Sequence, residues 1–419
     1  MRAVVAVAPL LIFYVVVCVV AQPGPDPVRD EPDLLPAASR LLHGHLVPPG
    51  GGTSPRAYLW HGPGLVALLS PFVALGLPVT AIRFIEPVLM GAAALLFHRL
   101  LRHRLTARAS LAWTYALGLY VPFLAVIPEV HKEPLAILLV VAGMLALTRA
   151  LGRGGGLWSV VAGLSLAALA MVRLEYGWVA ILLLGAALAA CAVRRNSAVA
   201  RRLVVVGAVA VAGCVPWLAY TYHLTGKPLY WGTSSGLSLF WMSPTQPGET
   251  GQWHEPADVF TDPALAAFRP LFARLRTLDP VASDQALRER AAANIRARPA
   301  TYARNVAANV TRLFFAVPMR PRLSAVRIGA NVLFNGPLLL AVGWAAGVLW
   351  PRRGRLPPEA IPIALFAMVA IAVHVPPSAS PRMLLPIVPA LVWLVALAGA
   401  LRGSGGADAV AREQPREPE

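Results

Sequence analysis

Three carboxylates lie close together in a short polar stretch near the amino terminus. Asp30 and Glu31 are adjacent, and Asp33 follows after one proline. Adjacent carboxylates repel each other, so one of them can keep a raised pKa and accept a proton near neutral pH. The stretch therefore indicates a general base, although a solvated acidic turn would have the same composition.

A second polar stretch separates two apolar runs and contains Glu129, His131, Lys132 and Glu133. The two glutamates are one helical turn apart if the following helix begins early, and Pro134 suits the first turn of that helix. This density of ionisable groups in a short connector indicates a functional site. A capped helix start is the structural alternative.

Two arginines lie at the ends of apolar runs farther along the chain. Arg173 is two residues before Glu175, so it can bind an anion or pair with that carboxylate. Arg382 precedes the last apolar run, where an arginine can also extend towards lipid headgroups. Histidines complete the candidates, and none has metal-ligand spacing: His43, His45, His61 and His374.

The elements that position these groups are predicted to be membrane helices. Of the 419 residues, 57% are hydrophobic and 14% charged, and the mean hydropathy is +0.62, whereas a soluble protein needs more polar surface. A helix needs about 20 apolar residues to cross the hydrocarbon core. We therefore predict an all-α polytopic membrane protein with about ten transmembrane helices, centred within 3–21, 79–98, 109–127, 134–150, 157–172, 176–193, 203–221, 326–349, 360–375 and 383–401.

Arginine-rich loops predict the orientation of these helices. Four clusters fall on one side if the helices alternate, and positively charged short loops favour the cytoplasm. Both termini share that side, so the polar stretches face the periplasm or the cell exterior. The clusters are Arg99, Arg102, Arg104 and Arg108; Arg149 and Arg153; Arg194, Arg195, Arg201 and Arg202; and Arg352, Arg353 and Arg355.

The division of the chain follows from these spans. Residues 1–221 are expected to form an amino-terminal transmembrane module that includes a first outward loop at 22–78. Residues 222–325 are expected to form an outward region of amphipathic helices. Residues 326–402 then carry the last spans, and residues 403–419 form a disordered cytoplasmic tail.

Two segments are expected to lie at the membrane surface. Residues 62–77 are apolar but short and broken by Pro71, so we predict a re-entrant or interfacial helix there. Within 284–315, apolar residues recur at four-residue spacing, with arginines at other positions. Helices of this kind lie along a membrane surface with arginines near the lipid phosphates. A soluble helical pair packed on the bundle explains the same pattern equally well.

The positive charge does not indicate a nucleic-acid-binding protein. The formal net charge is +17 and comes almost entirely from arginine, which in a chain rich in alanine, glycine and proline reflects a GC-rich coding sequence. No zinc-finger spacing and no soluble basic domain is present in the sequence. The three cysteines are too scattered for a metal site or a disulfide framework.

Taken in order, these motifs resemble the GT-C membrane glycosyltransferases. The resemblance is to the branch that contains the protein O-mannosyltransferases and the aminoarabinose transferases that modify lipid A. One span precedes the outward Asp-Glu pair, and His-Gly-Pro-Gly follows at 61–64. Glu-Pro-Leu at 133–135 opens a later span, and Pro-Arg-Met-Leu-Leu-Pro at 381–386 precedes the last one. The family often has Arg-Pro-Pro where this chain has Trp-His-Gly-Pro at 60–63.

This resemblance implies that a sugar is transferred, with inversion, from a polyprenyl monophosphate to an acceptor hydroxyl on a lipid, glycan or protein. Asp30 matches the catalytic base, with Glu31 beside it. Glu133 matches a second acidic motif, and Arg382 matches the arginine that faces the donor phosphate. Further candidates for substrate or phosphate binding are Arg173, Lys132 and His61. Neither a metal nor another cofactor is implied.

Two other classes of protein remain open from the sequence. A secondary transporter would also have about ten helices, but it would more often carry ionisable groups in mid-helix and an internal repeat. A non-catalytic protein that binds lipid-linked saccharide would have the same motifs as the enzyme. The charges at helix ends on one side favour an enzyme that works at the membrane interface.

Overall fold

The computed structural model describes residues 2–21, 30–48, 58–193, 197–244, 249–318 and 325–413, and these residues form helices and turns without a strand. Helices α1–α11 are Arg2–Val20, Glu31–Leu42, Pro63–Ala74, Val79–Ile82, Ile85–Leu101, Ala107–Gly118, Val121–Leu124, Lys132–Arg149, Gly155–Val172, Tyr176–Val193 and Ala198–Thr225. Helices α12–α16 are Ser234–Met242, Asp258–Thr261, Arg269–Leu275, Pro280–Ala297 and Pro299–Phe315. Helices α17–α20 are Ala325–Leu349, Ala360–His374, Pro381–Leu384 and Val388–Glu413.

Seven helical segments are long and apolar enough to cross a membrane, where ten were expected. They are Ala3–Val20, Val79–Leu101, Lys132–Gly152, Gly155–Val172, Tyr176–Val193, Ala198–Thr225 and Ile328–Leu349. The spans expected at 360–375 and 383–401 correspond to shorter apolar helices, Ala360–His374 and Val388–Arg402. The protein is therefore a multi-pass, all-helical membrane protein in the part of the chain that is described.

The span expected at 109–127 is not one continuous helix. Helix α6 ends at Gly118, and the short helix α7 begins at Val121. Pro122 lies in the first turn of α7. A proline ring clashes with the carbonyl four residues earlier and lacks an N–H to donate to it, so the helix cannot run on through Gly118.

The segment expected to be re-entrant or interfacial forms α3, which has 12 residues. At about 1.5 Å per residue such a helix is shorter than the hydrocarbon core. Its buried side chains pack on those of α2 in a small apolar cluster that includes Leu34, Ala38, Val66 and Leu69. The pair α2–α3 therefore forms a helical hairpin beside the bundle, close to the acidic residues at the start of α2.

Contacts gather the arginine-rich loops at one end of the bundle. The Arg104 guanidinium donates two hydrogen bonds to the Glu359 carboxylate, at 2.7 and 2.9 Å. Arg202 Nη1 donates at 2.7 Å to a carbonyl in the turn after α8. Burial and the nearby charge of Arg149 lower the pKa of His103. These contacts bring loops of the arginine clusters together; that the helices alternate and that this end faces the cytoplasm stay predictions, and residues 194–196 lie outside the described part.

Helices α12 to α15 have an apolar core of their own. Phe240, Trp241, Phe268 and Phe272 are nearly buried there, and the Trp241 and Phe272 rings stack with centroids 5.5 Å apart. This core belongs to the outward region expected at 222–325. Helix α16 leads from it back to the bundle, where Leu313 and Phe314 pack in the main core.

The inner face of α16 differs from the apolar face that the sequence suggested. Asn305, Asn309 and Arg312 are buried, whereas Val310 is 44% exposed. The Asn309 side chain donates to the carbonyl of Val375 at 2.8 Å, and that of Asn305 donates to the carbonyl of Met242 at 3.1 Å. A four-residue apolar spacing does not reveal side chains that are buried because they bind backbone carbonyls.

The carboxyl-terminal helix is longer than expected. Its backbone continues to Glu413, although a disordered tail was expected from residue 403. Residues 407–413 consist largely of strong helix formers and precede Pro415. Parts of the expected outward loop and tail, at 22–29, 49–57 and 414–419, lie outside the described residues.

We expect Gly163→Ala to lower the thermal stability of the protein. A Cβ at Gly163 would lie 2.7 Å from the Val206 carbonyl oxygen, on the backbone of the neighbouring helix α11, so α9 and α11 would have to separate. Overpacking of this kind costs about 1–3 kcal/mol. The measurement is the midpoint of thermal unfolding in detergent. Gly185→Ala is the matched control, because a Cβ there meets no atom within 4 Å; equal midpoints for the two variants would contradict the packing.

Candidate active site

The two adjacent acids at the start of α2 have different surroundings. Glu31 receives two hydrogen bonds from the Arg83 guanidinium, at 2.6 and 2.8 Å. Its Oε2 also accepts a hydrogen bond from the backbone N–H of Val130 at 3.1 Å. Glu31 therefore joins three segments of chain, whereas Asp30, which is 2% exposed, points to a separate group of charges.

Arg382 stands between two buried carboxylates. Its Nη2 donates to Asp30 Oδ2 at 2.5 Å and to both oxygens of Glu133 at 3.1 Å. The same nitrogen lies 3.2 Å from His131 Nδ1. The short helix α19 carries Arg382, and the first turn of α8 carries Glu133. One guanidinium thus connects the acidic loop after α1, the start of α8 and the approach to the last apolar helix.

The alternation of charges continues from Glu133 across the bundle. Arg173 Nη1 donates to Glu133 Oε1 at 2.8 Å, and Arg173 Nε donates to Glu175 Oε1 at 2.9 Å. His374 Nε2 lies 3.4 Å from the same Glu175 oxygen. Arg173 is only 5% exposed. The result is a row of acidic and basic side chains, in which each carboxylate lies beside an arginine or a histidine.

A second branch leads from Asp30 to the start of α3. Lys132 Nζ is 3.9 Å from Asp30 Oδ1 and 3.4 Å from His61 Nδ1. The other ring nitrogen of His61 lies 3.5 Å from Asp33 Oδ2. A shallow cleft opens beside this branch, lined by Asp33, Ala37, Arg40, Leu46, Val47, Leu59, Trp60, His61, Val66 and Trp217. The space in this cleft is only about 10 Å³, enough for about one water molecule.

The surrounding charges keep Asp30 ionised. Burial alone would raise the pKa of Asp30, but the positive charges of Lys132 and Arg382 bring it well below its ordinary value. The expectation of a raised pKa is therefore wrong for Asp30 in this state. Cations within about 4 Å of a carboxylate outweigh repulsion from its acidic neighbour.

Two other groups at the site have shifted pKa values. Burial and the charge of Lys132 lower the pKa of His61, so its imidazole is neutral at pH 7. Burial would raise the pKa of Glu175, but Arg173 and a hydrogen bond from His374 bring it well below its usual range. Glu175 is consequently a fixed negative charge that holds Arg173 in place.

Three of these residues also have the geometry of a metal site. The ligand atoms of Asp30, His131 and Glu133 lie within 4.8 Å of one another, and two carboxylates with an imidazole suit a divalent ion such as Zn²⁺ or Mn²⁺. In this arrangement Nη2 of Arg382 lies within 3.2 Å of an atom of each residue. A divalent ion would therefore have to displace the guanidinium. The expectation that no metal is needed stays a prediction.

The structure brings together the seven residues that the resemblance assigned to catalysis or substrate binding, while their roles remain predictions; the candidates His43 and His45 are exposed and lie apart from this cluster. The seven are Asp30, Glu31, His61, Lys132, Glu133, Arg173 and Arg382. Two residues of the cluster were missed. Arg83 binds Glu31, and Glu86, which is fully buried, accepts a hydrogen bond from the backbone N–H of His131 at 3.3 Å.

An acid inside an apolar run was the signal that could have identified Glu86. Ionisable residues at membrane depth are costly and usually functional, and Glu86 follows Ile85 at the start of α5. Its Oε2 is buried without a hydrogen-bond partner among the described residues.

Solved structures provide a comparison for the fold. The chain matches the archaeal oligosaccharyltransferase AglB from Archaeoglobus fulgidus, in complex with an inhibitory peptide and a dolichol-phosphate, with a TM-score of 0.52 and 16% identity, over 98% of this chain and 52% of that one. The apo form of the A. fulgidus oligosaccharyltransferase matches with a TM-score of 0.51 and 15% identity, over 99% of this chain and 53% of that one. The chain therefore spans about half the length of these structures.

No family model matches the chain, and no curated protein matches its sequence. The two structural neighbours are GT-C glycosyltransferases, and at this identity the likeness concerns the fold alone. It agrees with the GT-C architecture expected from the order of the motifs. The narrower resemblance, to protein O-mannosyltransferases and aminoarabinose transferases, stays a prediction. The chain thus has a multi-pass membrane fold similar to that of these two oligosaccharyltransferase structures.

Proposed function

We propose that the protein transfers a sugar from a polyprenyl-monophosphate donor to an acceptor hydroxyl at the non-cytoplasmic face of the membrane. The observation that carries this proposal is the placement of Arg382 between Asp30 and Glu133. A carboxylate and a guanidinium side by side at the end of a helical bundle provide the two functions that the reaction needs. One removes a proton and the other neutralises a phosphate.

In the proposed reaction Asp30 accepts the proton of the acceptor hydroxyl. The acceptor oxygen then bonds to the anomeric carbon while the bond from that carbon to the phosphate oxygen breaks, which inverts the anomeric configuration. The bonding electrons remain on the polyprenyl phosphate. Arg382 neutralises this growing charge, as preorganised cations do in phosphate-leaving reactions, and Arg173 and Lys132 are close enough to support it.

Donor binding is proposed to change the basicity of Asp30. In the structure Arg382 holds Asp30 ionised but also makes it a weak base. A donor phosphate competes for the same guanidinium, because arginine binds phosphate and carboxylate with similar forked geometry. When Arg382 turns to the phosphate, the pKa of Asp30 rises and proton transfer becomes easier.

The fold neighbours support the class of donor. One of them is described in complex with a dolichol-phosphate and an inhibitory peptide, so a fold of this kind accommodates a polyprenyl phosphate. We propose a lipid-linked sugar as donor for this chain too, and a lipid, glycan or protein as acceptor. Because the donor contains its own activated phosphate ester, no further cofactor is proposed.

A secondary transporter is the main alternative, and a non-catalytic binder of lipid-linked saccharide is another. The ionisable network favours the enzyme because it lies where loops meet helix ends, with Asp30 before α2, Glu133 in the first turn of α8 and Arg173 after α9. Proton- or sodium-driven solute uptake by vesicles containing the protein, without sugar transfer from any polyprenyl-phosphate donor, would establish the transporter instead.

We expect Asp30→Asn to abolish transfer and Glu31→Gln to reduce it much less. Asparagine keeps the shape of Asp30 but cannot accept the proton, and loss of a general base costs roughly 10²–10⁴-fold in rate. Glu31 is already bound by Arg83. The measurement is transfer of labelled sugar from polyprenyl-phosphate donors to a membrane extract. Full transfer by Asp30→Asn would refute the assignment, and loss in Glu31→Gln alone would move the base to Glu31.

The pH dependence of transfer should differ between the free enzyme and its donor complex. The profile of kcat/KM reports groups of the free enzyme, and that of kcat reports groups of the complex. In the free enzyme Asp30 has a lowered pKa, so kcat/KM should stay high as the pH falls and decline only below about pH 4. In the complex Arg382 binds phosphate, so the acid limb of kcat should lie at higher pH. Coinciding acid limbs would contradict the exchange of partners by Arg382.

A further inference from the structure

Glu86 differs from the other buried acids of the candidate site because no cation pairs with it. It is fully buried at the start of α5 and forms no ion pair among the described residues, whereas Asp30 and Glu133 both pair with Arg382. Its Oε2 has no hydrogen-bond donor there to stabilise a negative charge. An isolated carboxylate away from water is costly, and such a group keeps its proton instead. Glu86 therefore fits this position as a neutral carboxylic acid.

The other oxygen of Glu86 holds the backbone of the turn before α8. Glu86 Oε1 accepts a hydrogen bond from the His131 N–H at 3.3 Å, and Glu31 Oε2 accepts one from the preceding N–H, that of Val130, at 3.1 Å. Two acids from different segments thus hold two consecutive N–H groups. Glu31 is itself bound by Arg83, three residues before Glu86. The start of α5 therefore holds one N–H directly and the other through Glu31.

This turn carries side chains on which the proposed reaction depends. His131 Nδ1 lies 3.2 Å from Arg382 Nη2 and 3.7 Å from Asp30 Oδ2. Lys132 Nζ lies 3.9 Å from Asp30 Oδ1, and both oxygens of Glu133 accept hydrogen bonds from Arg382. A buried N–H is rarely left without an acceptor. Without its hydrogen bond to α5 the turn would have to shift, and all three side chains would move with it.

We infer that Glu86 is a positioning residue for the proposed transfer, and that it acts through its hydrogen bond to the His131 backbone rather than through a charge. This role rests on the proposed function, because it concerns the groups around Asp30 and Arg382. Glu86 itself neither accepts the proton of the acceptor hydroxyl nor binds the phosphate. Its contribution is large because a misplacement of about 1 Å can lower a rate about 10²-fold.

The first measurement is hydrogen exchange at the turn, which does not depend on transfer activity. The full chain in detergent is compared as wild type, Glu86→Gln and Glu86→Leu by mass spectrometry of a peptide that covers 125–135. Glutamine keeps a carbonyl oxygen at the same place, so exchange should match that of wild type. Leucine is similar in size but has no acceptor, so the His131 N–H should exchange about tenfold faster through easier local opening.

Sugar transfer is then measured per folded protein for the same variants. Glu86→Gln should keep kcat within about twofold of wild type, with the same pH profile, whereas Glu86→Leu should lower kcat about 10–100-fold. Equal losses in both variants would overturn the neutral role. Full transfer and unchanged exchange in Glu86→Leu would overturn the positioning role. If wild type transfers no sugar from any polyprenyl-phosphate donor, the proposed function fails, while the exchange measurement still decides whether Glu86 holds the turn.

Glu359 provides a matched control at the other end of α5. It is as fully buried as Glu86, but its carboxylate is bound by Arg104, which follows the end of α5 at Leu101. Glu359→Gln and Glu359→Leu should both lower the midpoint of thermal unfolding, because each breaks this ion pair. Neither should change kcat of the folded protein or exchange at 125–135. Faster exchange there in the Glu359 variants would reduce the effect of Glu86→Leu to general destabilisation and overturn the inference.

Discussion

The guanidinium of Arg382 is the group on which the polar end of this bundle depends. Asp30 and Glu133 are both nearly buried, and two ionised carboxylates cannot remain close together away from water unless a cation lies between them. Arg382 is within 3.1 Å of each. Removing one partner of a buried ion pair typically costs about 3–5 kcal/mol, so the position of α19 fixes the loop before α2 and the first turn of α8 together.

The two ends of the bundle differ in their charged residues. At one end Arg104 pairs with Glu359, and arginines outnumber acids in the neighbouring loops. At the other end acids and bases alternate from His374 through Arg173 and Arg382 to Asp30. The apolar helices between them hold these two groups apart. A membrane protein with its chemistry at one interface needs this separation, because ionisable groups between the ends would be costly in lipid.

The sequence was sufficient to find the residues of the site. It was not sufficient to predict their ion pairs or their pKa values. Arg173, Glu133 and Arg382 were recognisable because ionisable groups at the ends of apolar runs are conspicuous. The lowered pKa of Asp30 was not predictable, because it depends on the charges of Lys132 and Arg382, and Arg382 stands 352 residues away. The break at Gly118 and the polar inner face of α16 were missed for a similar reason. Apolar periodicity does not report a proline clash, and it does not report Asn309 binding a carbonyl across the bundle.

The separation of Asp30 and Arg382 along the chain has a consequence for biogenesis. The ribosome delivers Asp30 first and Glu133 later, while Arg382 follows only near the end of synthesis. Until then the growing chain in the translocon contains two acids whose shared cation does not yet exist. Lys132 and Arg173 can pair with Asp30 and Glu133 before that point, but only Arg382 joins the two carboxylates to each other. Insertion of the carboxyl-terminal segment is thus the step that completes the site, and a nascent chain released before it would expose a charge defect to membrane quality control.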